Sequence, residues 1–274
     1  MTKKKTTASD LINLAKKVYD FRTTDEWKNW LQFLGNFYKY SMYNTSLIYL
    51  QRPTSTHVAP FRVWKKLGRY VKKGERGIAI LVPCWRKKED ESTDDYKERK
   101  KKEGASFFVV GYVFDVSQTE GADIPTFDVL SMRESEVATE DLYNTIASTT
   151  DYTVSRVDIV DKECGGWTNH SDKTIGIGNH LNLTEQIRAL VHEVAHSLFE
   201  ERKKYSKQVN ELVADSVSYS VLSTLGIDSE EANVKYLAGW GANVKNMTEV
   251  APYVVEITHK ILKAVNPADE LQAA

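Results

Sequence analysis

The stretch that most constrains this chain is Ala189-Leu190-Val191-His192-Glu193-Val194-Ala195-His196-Ser197-Leu198-Phe199, an H-E-x-x-H motif set on an apolar helical pattern. Residues four apart stand about 40° from each other around a helix of roughly 3.6 residues per turn, so His192 and His196 reach one ion from the same side. Glu193 then points near that ion. The combination suits a divalent metal: two neutral imidazoles bind it, and a carboxylate that does not bind it takes a proton from its water. Ile187, Leu190, Val191, Val194, Ala195 and Leu198 recur at helical spacing and demand a buried face, while Asn182 or Thr184 supplies the N-cap. A helix that keeps two His and a Glu beside such a stripe lies at the margin of a cleft.

A catalytic zinc takes three protein ligands and keeps a position open. The extended motif with a Gly and a third His farther along is excluded, because Phe199 and Arg202 occupy those positions. The next helix is expected over residues 207–225, with Val209, Leu212, Val213, Val217, Val221 and Leu225 on its buried face and Gly226 at its end. Glu211 and Asp215 lie one turn apart in its polar stripe. Glu211 is the first choice for third ligand and Asp215 for the acceptor that orients a ligating His, although the two roles could be exchanged.

The net charge of -1 conceals an asymmetry: residues 1–104 hold 24 Lys and Arg against 12 Asp and Glu, leaving 13 against 26 for the rest of the 274 residues. A basic half and an acidic half suggest two domains, the first with a polyanionic partner. The basic start is not followed by an apolar core, so no signal peptide is expected. The longest apolar run, residues 107–114, is far short of the roughly 20 a spanning helix needs, so no membrane partner is expected. Cys84 and Cys164 form no framework or zinc knuckle, and a reducing cytoplasm is the default.

Along the basic half, two helices are expected between Leu11 and Tyr40, broken around Thr23-Thr24-Asp25, and a third stretch stops at Pro53. Residues 78–82 and 107–116 read as strands. Arg86 to Gly104 between them, almost wholly polar, reads as a long, mobile, solvated connection. From Tyr38 to Tyr70, cations alternate with aromatic residues as they do in single-strand binders, where Lys and Arg neutralise phosphates and rings stack on bases at roughly 1–3 kcal/mol each. In the acidic half, residues 141–148 read as a helix, 152–160 as a strand and 165–177 as a hairpin, whose second strand could run along the cleft and hold an extended peptide by main-chain bonds. His170 and His180 read as loop histidines. Amphipathic helices over 229–240 and 250–265 complete the core.

The run Asn44…Gln51-Arg52-Pro53…Phe61-Arg62-Val63-Trp64…Gly68-Arg69-Tyr70-Val71-Lys72-Lys73-Gly74-Glu75-Arg76-Gly77-Ile78, with Tyr112-Val113-Phe114-Asp115-Val116-Ser117-Gln118-Thr119, resembles the N-terminal domain of ArdC-type antirestriction proteins. Gly165-Gly166-Trp167, residues 192–196 and Glu211-Leu212-Val213-Ala214-Asp215 resemble the zincin-like metallopeptidase domain that follows it, so the resemblance spans roughly residues 10–265. It implies single-stranded DNA binding by the first domain, Glu211 as third ligand, and a place on a plasmid, integrative element or phage. Asp215 stands where related sequences often carry Glu, and the insertion 86–104 lies outside the shared pattern.

The resulting expectation is an α+β protein of two domains: residues 1–125, basic and DNA-binding, and residues 126–274, a zincin-like metallopeptidase. Zn2+ is held by His192, His196 and Glu211, with Asp215 behind them and Glu193 as general base toward a protein or peptide substrate. The candidate DNA contacts are Asn44, Gln51, Arg52, Trp64, Lys65, Lys66, Arg69, Lys72 and Lys73. Two rivals stand beside it: a protective DNA-binding protein with a structural or vestigial zinc site, and a peptidase regulator whose basic half binds a protein. An intact Glu193 weighs against the first, since a structural site has no use for a general base.

Overall fold

The computed structural model describes residues 7–15, 24–102, 105–123, 136–227 and 244–265. In chain order these form α1 (Ala8–Ala15), α2 (Thr24–Asn36), α3 (Met42–Gln51), β1 (Val58–Ala59), α4 (Phe61–Lys66), β2 (Arg69–Val71), β3 (Ile78–Cys84), α5 (Thr93–Lys102), β4 (Phe107–Asp115), β5 (Thr119–Gly121), α6 (Glu136–Ala147), β6 (Thr153–Val157), β7 (Gly166–Asn169), β8 (Thr174–Gly178), α7 (Leu183–Leu198), α8 (Lys207–Thr224) and α9 (Val244–Val265). The fold is mixed α+β. Among the described residues no helix is long and apolar enough to cross a membrane. The expected helix over 229–240 lies outside the described residues.

The chain divides into two compact units: residues 1–18 with 43–122, and residues 19–42 with 123–273. Residues 19–42, however, group with the second unit and not with the basic domain to which the sequence reading assigned them. The physical reason is the apolar face of α2: Trp27, Trp30, Leu31 and Leu34 are fully buried, and α2 lies along α8. Trp27 Nε1 donates to Ser216 Oγ at 3.1 Å, and Ser220 Oγ donates to Leu31 O at 2.7 Å. Gly35 permits the close approach, since a Cβ there would fall 3.0 Å from Ser220 O.

In the first unit β3 and β4 form an antiparallel pair, from Ile78 opposite Val113 to Cys84 opposite Phe107, with β1 on the other side of β4. Ala79 and Leu81 pack with Leu11, Ala15 and Leu47 of α1 and α3. The free edge of β3 is completed by side-chain amides of α3, not by another strand. Asn44 donates to Leu81 O and accepts from Leu81 N, both at 2.8 Å; Gln51 does the same with Ala79 at 2.8 and 2.9 Å. The 115–119 motif is also a buckle: Asp115 accepts from Thr56 N and Ser117 N, and Gln118 Oε1 accepts from Asp115 N while its amide donates to Glu75 and Arg76 O.

Within the connection expected to be mobile, Thr93–Lys102 forms the helix α5. Ser92 caps α5 through Asp95 N at 3.1 Å, Asp94 and Asp95 occupy its first turn, and the Lys residues gather at its other end, a charge order that suits the helix dipole. Arg99 Nε meets Glu91 Oε1 at 2.6 Å, with both side chains nearly buried, and Arg99 Nη2 reaches Arg86 O. The charges that looked solvated in the sequence are partly paired with each other.

Candidate metal centre

In the second unit β8 lies between β6, parallel to it, and β7, antiparallel to it. Helix α7 packs on β7 and β8, and α8 packs on α7. Asn182 and Glu185 cap α7 reciprocally, with Glu185 N 3.0 Å from Asn182 Oδ1 and Asn182 N 2.9 Å from Glu185 Oε2, which sets the start of the helix that carries the motif. Its apolar stripe, Ile187, Leu190, Val191, Val194 and Ala195, is fully buried.

Three side chains converge from α7 and α8. His192 Nε2 and His196 Nε2 are 3.1 Å apart, and Glu211 Oε2 lies 3.4 Å from the first and 3.3 Å from the second. Ligand bonds of 2.0–2.1 Å at tetrahedral angles place their atoms about 3.3–3.4 Å apart; at octahedral angles and the same bond length the spacing falls to about 2.9 Å. The triangle is closer to the tetrahedral spacing, and its three ligand types are those of a divalent cation site. Asp215 is held back from it: its Oδ1 meets His192 Nδ1 at 3.0 Å and its side chain is almost wholly buried. The two acidic residues differ in position: Glu211 faces both Nε2 atoms and Asp215 the opposite edge of one ring.

Burial alone would lower the pKa of His192, but hydrogen bonds to Asp215 and Glu211 and the nearby charges of Asp215 and Glu193 hold it up at about 10. Glu211, despite its burial, is pulled far below the carboxylate range by the two imidazoles. In the metal-free protein the raised His192 value contributes stability that is complete below its unfolded pKa of about 6.5 and is lost as pH rises through about 10. An ion needs the same nitrogen without its proton, so metal uptake should release protons and tighten as pH rises from 6 to 8. Calorimetric titration of zinc in buffers of different ionisation enthalpy checks this; a proton count of zero would remove His192 as a ligand.

Glu193 is buried and faces β7, where Thr168 Oγ1 lies 2.7 Å from its Oε2. No local pattern in the sequence marked Thr168. His170, in the turn after β7, has its Nδ1 3.0 Å from Tyr152 Oη; burial, with the charges of Arg202 and His196, pushes its pKa down. His180 is exposed after β8. The peptide-holding strand requires correction: β8, the second strand of the hairpin, is paired on both edges, whereas β7 is paired with β8 alone among the described residues. Among the described residues β6 and β7 are the two open edges of this sheet, and β7 is the one that carries Thr168 beside Glu193.

The DNA-contact candidates separate by burial. Trp64 is fully buried and donates Nε1 to Phe114 O at 2.8 Å, which removes it from any stacking surface. Asn44 and Gln51 are occupied by the β3 edge, and Arg69 binds Thr119 Oγ1 and O, Gly121 O and Ala122 O. Arg52 Nη2 and Lys72 Nζ both reach Ser117, at its Oγ and its O. Lys65, Lys66 and Lys73 are exposed, as is Tyr70. Phe107, Phe108 and Tyr112 of β4, outside the candidate contacts, are all exposed; the sequence signal for this is aromatic residues on both alternations of one strand, which no single buried face accommodates. Arg86 lies over Phe107 and Lys100 over Trp85.

Residues 4–114 match the family described as the N-terminal domain of anti-restriction factor ArdC. An uncharacterized protein of Bacillus anthracis, pXO2-81, is 23% identical over 276 residues, covering 87% of this chain and 47% of its own length; the chain spans about half of that relative. Two crystal structures of the ArdC protein from plasmid R388 are similar. The metal-free form has a TM-score of 0.42 at 16% identity, covering 82% of this chain and 85% of that one. The Mn(II)-bound form has a TM-score of 0.43 at 17% identity, covering 83% and 89%.

Proposed function

We propose, from the match of residues 4–114 to the ArdC N-terminal domain family, that the protein is an antirestriction factor of a mobile element or phage whose first unit binds single-stranded DNA and whose second is a zinc-dependent peptidase. The observation that carries the peptidase reading is the His192–His196–Glu211 triangle with Glu193 next to His192 on the same helix and held by Thr168 of β7, a strand whose outer edge is unpaired among the described residues. When bound, zinc in such a set supplies a Lewis acid and makes its water acidic near neutral pH. Asp215 fixes the ring of His192 through Nδ1, leaving Nε2 for the metal. Glu193 accepts the water proton and returns it to the leaving amine. The edge of β7 seats the peptide as an added strand. Zinc analysis and cleavage of an unfolded protein substrate, on one preparation, test this: stoichiometric zinc with no cleavage would favour the purely structural site.

What supports the DNA reading is the surface chemistry of the first unit. Lys65, Lys66 and Lys73 are exposed, Phe108, Tyr112 and Tyr70 offer ring faces, and residues 78–88 and 105–114 contain no carboxylate. Affinity for a single strand should fall with salt at a log-log slope of roughly -0.7 per phosphate contact. Lys66→Ala/Lys73→Ala should flatten that slope, whereas Phe108→Ala or Tyr112→Ala should weaken binding by about 5- to 150-fold with the slope kept, matching about 1–3 kcal/mol per stacked base. Fluorescence anisotropy across salt, with single-stranded and duplex oligonucleotides of one sequence, checks both; a preference for duplex would end the single-strand reading.

A further inference from the structure

The carboxylate of Glu193 is held from one side. Thr168 Oγ1 lies 2.7 Å from Glu193 Oε2 and 3.0 Å from Glu193 O. A hydroxyl has one proton to donate, and the shorter contact to a charged oxygen takes it. Among the described residues Thr168 is the single hydrogen-bond donor to this carboxylate, and Glu193 as a residue is only 9% exposed. A buried carboxylate with no donor is costly, so the hydroxyl matters where the methyl beside it does not.

The same strand also shapes the stem of that side chain. Gly166 and Thr168 are two residues apart on β7 and therefore share a side. A Cβ at Gly166 would stand 3.1 Å from Glu193 Cγ, a contact too tight to form without displacement. Gly166 leaves room for the stem and Thr168 pins one oxygen, so β7 selects the Glu193 rotamer.

We infer that Thr168 is a positioning residue for the general base, setting the Glu193 carboxylate through Oε2 and leaving Oε1 for the reacting proton. This rests on the peptidase reading above. Because Thr168 belongs to the strand whose outer edge seats the peptide, base and scissile bond share one rigid frame, and a small error in either would be felt by both.

Thr168→Val keeps the shape and deletes the donor; Thr168→Ser keeps the donor and deletes the methyl. Crystal structures of the wild type and both variants are expected to show one Glu193 conformer in the wild type and in Thr168→Ser, with Oε2 within hydrogen-bonding distance of the hydroxyl. In Thr168→Val the carboxylate should turn away or divide between conformers. Cleavage by Thr168→Val should fall about 10- to 100-fold in kcat at unchanged zinc content and KM, with Thr168→Ser restoring it. If Thr168→Val does not fold, Thr168→Ala is read in the same way. An unmoved Glu193 in the Val or Ala variant overturns the inference, as does a Ser variant that restores neither conformer nor rate. A wild type that cleaves nothing overturns the peptidase reading alone, since the crystallographic comparison still decides the role of Thr168.

Discussion

Glu193→Gln is expected to retain its zinc and its melting temperature within a few degrees, and to lose peptide cleavage by about 10²- to 10⁴-fold, the usual contribution of a positioned base. The substitution leaves the three converging ligand atoms untouched, because Glu193 is not among them. Its amide keeps an oxygen that can accept from Thr168, so the local packing survives. What it loses is the ability to take a proton. His196→Ala should behave in the opposite order: it removes one corner of the triangle, zinc is lost, and activity follows the metal. Metal analysis and cleavage assays on the two variants separate chemistry from assembly. Undiminished cleavage by Glu193→Gln would assign the base to another residue, and full zinc in His196→Ala would dismantle the site.

The second large effect concerns where the chain can be cut. A fragment of residues 126–274 contains the whole candidate centre but lacks α2, so it should fail to give a cooperative thermal transition. Trp27, Trp30, Leu31, Leu34 and Phe37 are all fully buried in the second unit. At about 1.5–3 kcal/mol for each large apolar side chain, as an upper bound, their loss approaches roughly 8–15 kcal/mol, as much as the entire stability of an ordinary domain. Joining residues 19–42 to that fragment through a flexible linker should restore the transition. Circular dichroism during heating decides it; a cooperative melt of 126–274 near that of the full chain would show that α2 is dispensable.

The parts of this site legible in the sequence are the ones that depend on a single helix. The relation of His192, Glu193 and His196 follows from the pitch of α7, and its cap at Asn182 from local chemistry. The division of labour between Glu211 and Asp215 depends on where α8 crosses α7, which no periodicity reports. Trp64 and Tyr112 make the same point in the first unit. Both are aromatic and both have apolar neighbours in the sequence, yet one is core and one is surface, because the six residues of α4 define no face and β4 carries large side chains on both of its faces. Asn44 and Gln51 stood out as a motif, but their occupation is the edge of β3, thirty or so residues farther along. Helix α2 was legible as amphipathic while its partner was not, since an apolar stripe states that it must be covered and not by what.

The bond from Trp27 to Ser216 joins residues 189 positions apart. A ribosome adding roughly 5–20 residues per second needs about 10–40 s to cover that interval. Throughout it α2 has been made and α8 has not, while residues 43–122, which complete the first unit, emerge in between. The nascent chain must therefore finish one unit with a tryptophan-bearing helix of the other waiting upstream. Such a helix is a natural client for a chaperone, and slowing translation between residues 122 and 207 should lengthen that wait and lower the yield of native protein more than an equal pause placed after residue 265.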